Sequence, residues 1–256
     1  MNGVKGISSQ SGIAMVLVLW VLLLLTIITG SFALMARMDR LEANALLSGT
    51  QARLSAEAAI NLAVLALRDP DDLTRMRADG RVYQQELDGV LVEVSAIDER
   101  GKLDINATEE LTLATLFTGH GMELEDAEML AAAVLDWRDE DELERVNGAE
   151  VDAYIAAGLE VGPANRPFMM TEELLQVIGM PFELYRKLEP GITVFSRVGE
   201  PNPAFAPVEA LMALPDITRE EAMNFVEERN SQEPGDSLGT ELPNGVVVME
   251  QGRGVT

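Results

Sequence analysis

Residues 12–36 read Gly-Ile-Ala-Met-Val-Leu-Val-Leu-Trp-Val-Leu-Leu-Leu-Leu-Thr-Ile-Ile-Thr-Gly-Ser-Phe-Ala-Leu-Met-Ala, and no charge interrupts the chain between Lys5 and Arg37. About 20 apolar residues suffice to carry a helix across the hydrocarbon core of a bilayer. A helix apolar on every face needs lipid or a large protein around it, so a buried core helix is the poorer reading. Downstream, the chain stays charged and helix-favouring, with no proline from Arg37 to Leu67 and Gly49 as its one glycine. Met38, Leu41, Ala45, Ala52, Ala59, Leu62 and Ala66 recur at spacings that share one helical face. Asp69-Pro70-Asp71-Asp72 stops the pattern, because proline cannot continue the hydrogen-bond ladder. The simplest expectation is one helix over 13–68, roughly 80 Å long at about 1.5 Å per residue, with 13–36 as its membrane-spanning part.

On the residues alone, two other readings of the span stay open. One is a plain signal anchor. The other is an export signal cut at Ser31-Phe32-Ala33, although such signals have a shorter apolar core. Lys5 precedes the span and no basic residue follows it until Arg37, which favours an N-terminus in the cytoplasm and the remainder on the other side.

The 256 residues carry a formal net charge of -24, with a sequence pI near 4.3. Such acidity argues against nucleic acid or anionic lipid as a partner, since phosphate neutralisation needs clustered Lys and Arg. It suits multivalent cations. With no cysteine, disulfides, thiolate metal sites and cysteine nucleophiles are excluded. The single histidine, His120, lies in Gly119-His120-Gly121, and reads as a solvated turn residue.

Beyond the long helix, Gly89–Asp98 reads as a strand, with Arg81–Leu87 as its hairpin partner and Asp98-Glu99-Arg100-Gly101 as the turn that ends it. Helices are expected near Glu109–Phe117, Glu125–Trp137, Thr171–Val177, Pro181–Leu188, Val208–Ala213 and Arg219–Glu228. Thr171 and Thr218, each followed by glutamates, are natural N-caps. A last strand is expected at Gly245–Glu250. Leu174, Val177, Met180, Tyr185 and Leu188 recur 37 residues on as Leu211, Leu214, Ile217, Ala222 and Phe225. The repeat describes two helix-hairpin-helix units. DNA-binding versions of that unit need open hairpin backbone and basic neighbours, whereas here Asp216 sits in the hairpin beside Glu220, Glu221, Glu227 and Glu228. Charge repulsion makes it a packing motif.

The densest acidic stretch is Asp136–Glu144, followed by Asn147-Gly148-Ala149-Glu150-Val151-Asp152. Calcium takes six to eight hard oxygens, which closely spaced carboxylates and loop carbonyls can supply. The spacing is no EF-hand, and composition alone favours a solvated acidic loop over a metal site. No Ser/His/Asp set, zinc spacing or phosphate-cradling loop is present, so the sequence offers no support for an enzyme.

Taken in order, these features carry a resemblance. Gly12 followed by Ile13-Ala14-Met15-Val16-Leu17 and a long apolar helix resembles a type IV prepilin-like N-terminus. The fifth residue after the glycine is Leu17, where most such proteins carry glutamate. The branch without that glutamate is the minor pseudopilin K family of type II secretion systems. Residues 98–107 (Asp-Glu-Arg-Gly-Lys-Leu-Asp-Ile-Asn-Ala), Leu135–Asp139, Gly148–Glu150, Asn165–Phe168, Glu172–Met180, Tyr185, Leu188 and Pro190 are similar to that branch too.

The resemblance implies a prepilin leader 1–12, cut by a prepilin peptidase between Gly12 and Ile13, with methylation of the new N-terminus. It implies a single-pass inner-membrane protein with its C-terminal part in the periplasm. The partners would be the minor pseudopilins I, J and H and the major pseudopilin, at the tip of a pseudopilus used for protein export. It also implies calcium in the helical domain, for which Asp136, Asp139, Asp141, Glu150 and Asp152 are the candidate ligands. The fold class expected is α+β: a long N-terminal helix (13–68), a small antiparallel sheet (69–106) and a large inserted helical domain of SAM-like, helix-hairpin-helix type (107–195). A second such unit with a closing strand follows (196–256). The alternatives are a membrane-tethered periplasmic adaptor unrelated to pili and an exported soluble calcium-binding protein.

Overall fold

Helix α1 runs unbroken over Ser11–Leu67 in this computed structural model, which describes residues 11–160, 162–232, 240–242, 245 and 247–248. Most of the expected leader, with Lys5, and the tail 251–256 lie outside the described residues. At about 1.5 Å per residue, 57 residues make a helix of roughly 85 Å. Every side chain from Ile13 to Leu54 is exposed. Leu67 is the last helical residue. Beyond it Asp69 closes a turn, accepting from Asp71 N at 3.0 Å and from the Thr74 hydroxyl at 2.9 Å.

The chain divides into two units. One is α1 as far as Ala58, together with Leu87–Val90; inside it Gln51 Nε2 donates to the Asp88 carbonyl at 3.1 Å. The other is Ala59–Glu86 and the chain from Leu91 onward.

Strands β1 (Asp79–Leu87) and β2 (Val90–Ile97) form a two-stranded sheet. Two residues join them, Asp88 at φ 50° and Gly89 at φ 76°, the left-handed pair that a tight hairpin turn requires. In the second unit, Ala59 and Ala63 are buried at the end of α1 and line a recess with Met76, Tyr83 and Val94. Small side chains there let sheet and helix approach closely.

A short 3-10 turn, Glu99–Gly101, is capped by Asp98, whose carboxylate accepts from Arg100 N at 2.9 Å. A β-carbon on Gly101 would lie 2.5 Å from the Phe205 carbonyl carbon and 2.6 Å from its oxygen. Backbone cannot give way as a flexible side chain does. Gly101→Ala is expected to destabilise the protein by about 1–3 kcal/mol, read as a lower midpoint in chemical denaturation of the full chain; an unchanged midpoint would contradict the packing described.

Strands β3 (Leu103–Asp104) and β4 (Ile192–Thr193) pair in parallel, Leu103 with Ile192 and Asp104 with Thr193. Parallel neighbours need a long crossover, and here the crossover is a helical domain. It contains α2 (Glu110–Gly119), α3 (Leu124–Arg138), α4 (Val151–Ala156), the 3-10 helix Thr171–Gln176 and α5 (Phe182–Leu188). Helix α3 is its axis: every residue from Leu130 to Trp137 is buried, so it is covered on all sides. Phe117, Tyr154, Leu174 and Leu188 complete that core.

After β4, α6 (Val208–Leu211) and α7 (Arg219–Ser231) form a smaller core around Leu211, Ile217, Ala222 and Phe225. The 37-residue repeat is visible in the backbone. Gly179 and Asp216 hold left-handed φ values of 85° and 60° at equivalent places, and Pro181 and Thr218 are the N-caps of the helices that follow. Thr218 and Glu221 form a reciprocal capping box. The hairpin reading of Leu214–Ile217 therefore corresponds to real geometry, with Asp216 taking a conformation that glycine takes in the first copy.

The architecture is α+β, with the long apolar helix, the small hairpin sheet and the helical domain expected from sequence. Three details differ. The 3-10 form of Thr171–Gln176 replaces an α-helix, and α4 is an additional helix too short to announce itself by periodicity. The expected closing strand is reduced, in the described residues, to β6 (Val247–Val248). It pairs antiparallel with β5 (Thr240–Glu241) in a sheet of its own.

Candidate cation site and membrane helix

The acidic loop is built outward from Asp136, on the last turn of α3 and fully buried. Its Oδ2 accepts from Ala149 N at 2.9 Å and from Arg145 N at 3.3 Å. This folds the loop 139–149 back over the helix end. The approach requires glycine beside it: a β-carbon on Gly148 would sit 2.0 Å from Asp136 Oδ2. Asn147, just before, holds φ 65°. The Gly148-Ala149-Glu150 triplet thus has a mechanical meaning, one residue for clearance and the next for an N–H donor.

Glu150 is the N-cap of α4, yet its side chain makes no capping bond. It is 6% exposed, and neither carboxylate oxygen has a hydrogen-bond partner. Burial, followed by the charges of Asp136, Asp139, Asp141 and Glu142, pushes its pKa up to about 7. Asp136 is also raised, chiefly by burial, against the lowering effect of its backbone donors. Asp139 Oδ1 is buried without a hydrogen-bond partner, and Asp141 Oδ1 accepts from Leu143 N at 2.8 Å. Asp152 is exposed in the first turn of α4.

The structure therefore brings the charges of Asp136, Asp139 and Asp141 to bear on Glu150 and adds Glu142, which the sequence reading left out of its ligand set. Among the described residues, no three His, Asp or Glu side chains stand close enough to grip an ion as they are. The donor chemistry nevertheless fits a hard cation: anionic oxygens on an irregular loop, with a buried carboxylate lacking partners.

The surrounding motif residues hold this loop against the domain. Trp137 stacks on Phe168 with ring centroids 6.1 Å apart and tilts against Tyr154 at 6.2 Å. Asn106 grips Phe168 by both backbone groups, donating to its carbonyl at 2.9 Å and accepting from its N–H at 2.8 Å. Arg138 donates to the carbonyls of Ile105 and Thr108. Asp104, buried, accepts from Arg197 N at 2.7 Å and Asn106 N at 2.8 Å. The stretches 98–106, 135–139 and 165–168, separate in sequence, are one structural joint.

His120 is buried rather than solvated, which corrects the turn-residue expectation. Its Nδ1 lies 2.8 Å from the Leu116 carbonyl and its Nε2 has no partner. Desolvation holds its pKa below the usual histidine range.

At the other end, the apolar part of α1 has a mean hydropathy of 2.8 over its most apolar 18-residue window, with none of that window buried. Among the described residues it is the one helix long and apolar enough to cross a membrane. Leu17 is 62% exposed on it. The Gly12 backbone is already helical.

A helix long and apolar enough to cross a membrane, followed by an α+β part with a helical domain inserted between two parallel strands, defines the class. The family model for the type II secretion system (T2SS), protein K, matches residues 91–197. The type II secretion system protein K of Pectobacterium carotovorum subsp. carotovorum is 27% identical over 249 residues, covering 87% of this chain and 76% of that protein. The corresponding protein of Klebsiella pneumoniae is 28% identical over 248 residues, covering 86% and 75%. A chain in the crystal structure of the GspK-GspI-GspJ complex from enterotoxigenic Escherichia coli shares the fold, at TM-score 0.50 and 20% identity over 77% of this chain and 74% of that one. Residues 91–197 thus match the type II secretion system protein K family model, and most of the chain is similar to proteins of that name.

Proposed function

We propose that the chain is the minor pseudopilin at the tip of the type II secretion pseudopilus, where it nucleates assembly with the I and J minor pseudopilins in support of protein export. Its work is assembly, not catalysis. The observation that carries this is the apolar helix with Leu17 exposed on it. Inside a helix bundle, a glutamate at that place offsets the N-terminal ammonium of a neighbouring subunit, and a buried charge without its partner is costly. A subunit placed first meets no such ammonium, so leucine is the better residue. The crystallised relative assembles with GspI and GspJ, which supports the same partners here. The inserted domain supplies the bulk that would block a further subunit above it.

On this reading a prepilin peptidase cuts after Gly12, Ile13 becomes a methylated N-terminus, and the part beyond the span lies in the periplasm. Mass spectrometry of the mature protein tests it directly. Methylated Ile13 is the expected result, and an intact Met1 or a start after Ala33 would overturn it. Gly12→Ala is expected to leave essentially all of the protein as membrane-bound precursor, which fails to co-purify with the I and J siblings.

We further propose that the acidic loop holds calcium. Asp136, Asp139, Asp141 and Glu150 are the residues that would hold it, with Glu142 beside them. The ion supplies charge neutralisation and a cross-link between the end of α3 and the start of α4.

A further inference from the structure

Arg145 is the only basic residue between Arg138 and Arg166, in the middle of the acidic loop. Its side chain is partly exposed, yet its guanidinium lies against the carboxylates of the loop. Nε lies 3.1 Å from Asp136 Oδ1 and Nη2 lies 2.8 Å from Asp139 Oδ2. The guanidinium thus pairs with two of the carboxylates assigned above to the ion. It leaves Glu150 without a hydrogen bond, although that residue is 94% buried. A planar fork carrying one positive charge can pair two carboxylates edge-on. It cannot present the many oxygen contacts that a divalent ion makes.

We infer that Arg145 is an internal cation competing with calcium for Asp136 and Asp139, so that the ion binds by exchange, entering as the guanidinium swings out. This rests on the calcium reading. The two partners differ in freedom. Asp136 is fixed: its side chain is 0% exposed, its Oδ2 is held by Ala149 N–H, and Gly148 leaves it room. The Arg145 side chain is 41% exposed, so its outward path is open and leaving costs little hydration. Arginine is therefore the group that moves. A half-exposed ion pair is weak, so a divalent ion can displace it, whereas a monovalent ion brings no more charge than the arginine already supplies. Arg145 sets the calcium concentration at which the loop fills, and helps exclude sodium and potassium.

The test uses the full chain in detergent, with calcium titrated calorimetrically and terbium followed by luminescence sensitised through Trp137. Arg145→Gln is expected to bind calcium roughly three- to tenfold more tightly, and to keep that gain in about 0.5 M sodium chloride, where remote charges are screened. Its ion-free thermal midpoint is expected to fall and its calcium-induced rise to grow. Arg145→Lys, which keeps the charge but not the fork, is expected to lie between the two and guards against a loop that misfolds. If wild type binds and Arg145→Gln binds no more tightly, or if the gain vanishes in high salt, the exchange is overturned while calcium binding stands. If neither protein binds calcium or terbium, the calcium reading falls and the exchange falls with it.

Discussion

Trp137→Ala is expected to lower the stability of the helical domain by about 3–5 kcal/mol, the usual cost of emptying a large buried aromatic site. Trp137 is 2% exposed and is the contact point of three separate chain segments. It stacks on Phe168, tilts against Tyr154 of α4, and is carried by the last turn of α3. Each neighbour passes the load on. Phe168 is bound through its backbone to Asn106, and the Tyr154 hydroxyl accepts from Ile178 N at 3.1 Å. Emptying the site would loosen both ends of the acidic loop together. Trp137→Phe is the informative companion. The indole Nε1 is buried without a hydrogen-bond partner, so removing it relieves a desolvated donor while most ring contact remains. Its cost is expected to stay below about 1.5 kcal/mol. Denaturant unfolding of the full chain, with amide exchange read separately at α3 and α4, gives both values. An alanine variant within about 1 kcal/mol of wild type would mean that the aromatic cluster is not the centre of this domain.

The sequence announced the long helix because two signals agreed over many turns: unbroken apolarity to Ala36, then helical periodicity to the Asp69-Pro70 stop. The two strands of the hairpin were legible as adjacent runs, but the turn was not: Gly89 reads as the first strand residue, whereas Asp88 and Gly89 together make the tight turn. The parallel pairing of β3 with β4 was not visible. Each strand is two residues long, too short for alternation, and its partner lies a whole domain away. Helix α4 escaped for the same reason. Its six residues give less than two turns of pattern, and they follow a loop dominated by charge.

The acidic loop shows where composition stops being informative. Carboxylate density identified the stretch, but burial separates its members, and burial is a tertiary property. Asp136 faces inward because α3 is covered on all sides, whereas Asp152 faces out on a short surface helix. Gly148 was readable as part of a motif, yet its reason, clearance for the Asp136 carboxylate, exists only once the loop folds back. Arg145 could have been noticed as the lone positive residue in an acidic run. His120 was misread because Gly119 and Gly121 suggested an open turn. The ring is instead tucked against the end of its own helix by the Leu116 carbonyl.

The loop's charge predicts an unusual pH response. Glu150 has its pKa raised from 4.5 to about 7 by burial and by Asp136, Asp139, Asp141 and Glu142. Between those values the folded state holds a proton that the unfolded state has released. Stability must therefore fall as pH rises through that window, and the loss is complete above it. The interval corresponds to an upper bound of about 3 kcal/mol. Asp136, also raised, acts in the same sense. His120 acts in the opposite sense: its folded pKa is depressed, so its contribution is present above about 6.5 and is lost on acidification. Comparing wild type with Glu150→Gln separates them. In chelator, wild type is expected to lose thermal stability relative to Glu150→Gln on going from pH 5 to pH 8. Calcium is expected to cancel that loss at pH 8 and to have little effect at pH 5, because the ion needs the ionised carboxylate that the empty loop disfavours. If wild type and Glu150→Gln keep the same difference at both pH values in chelator, Glu150 is not the strained group described here. If that difference changes as stated but calcium leaves the pH 8 midpoint unmoved, the loop is a strained acidic cluster without an ion to relieve it.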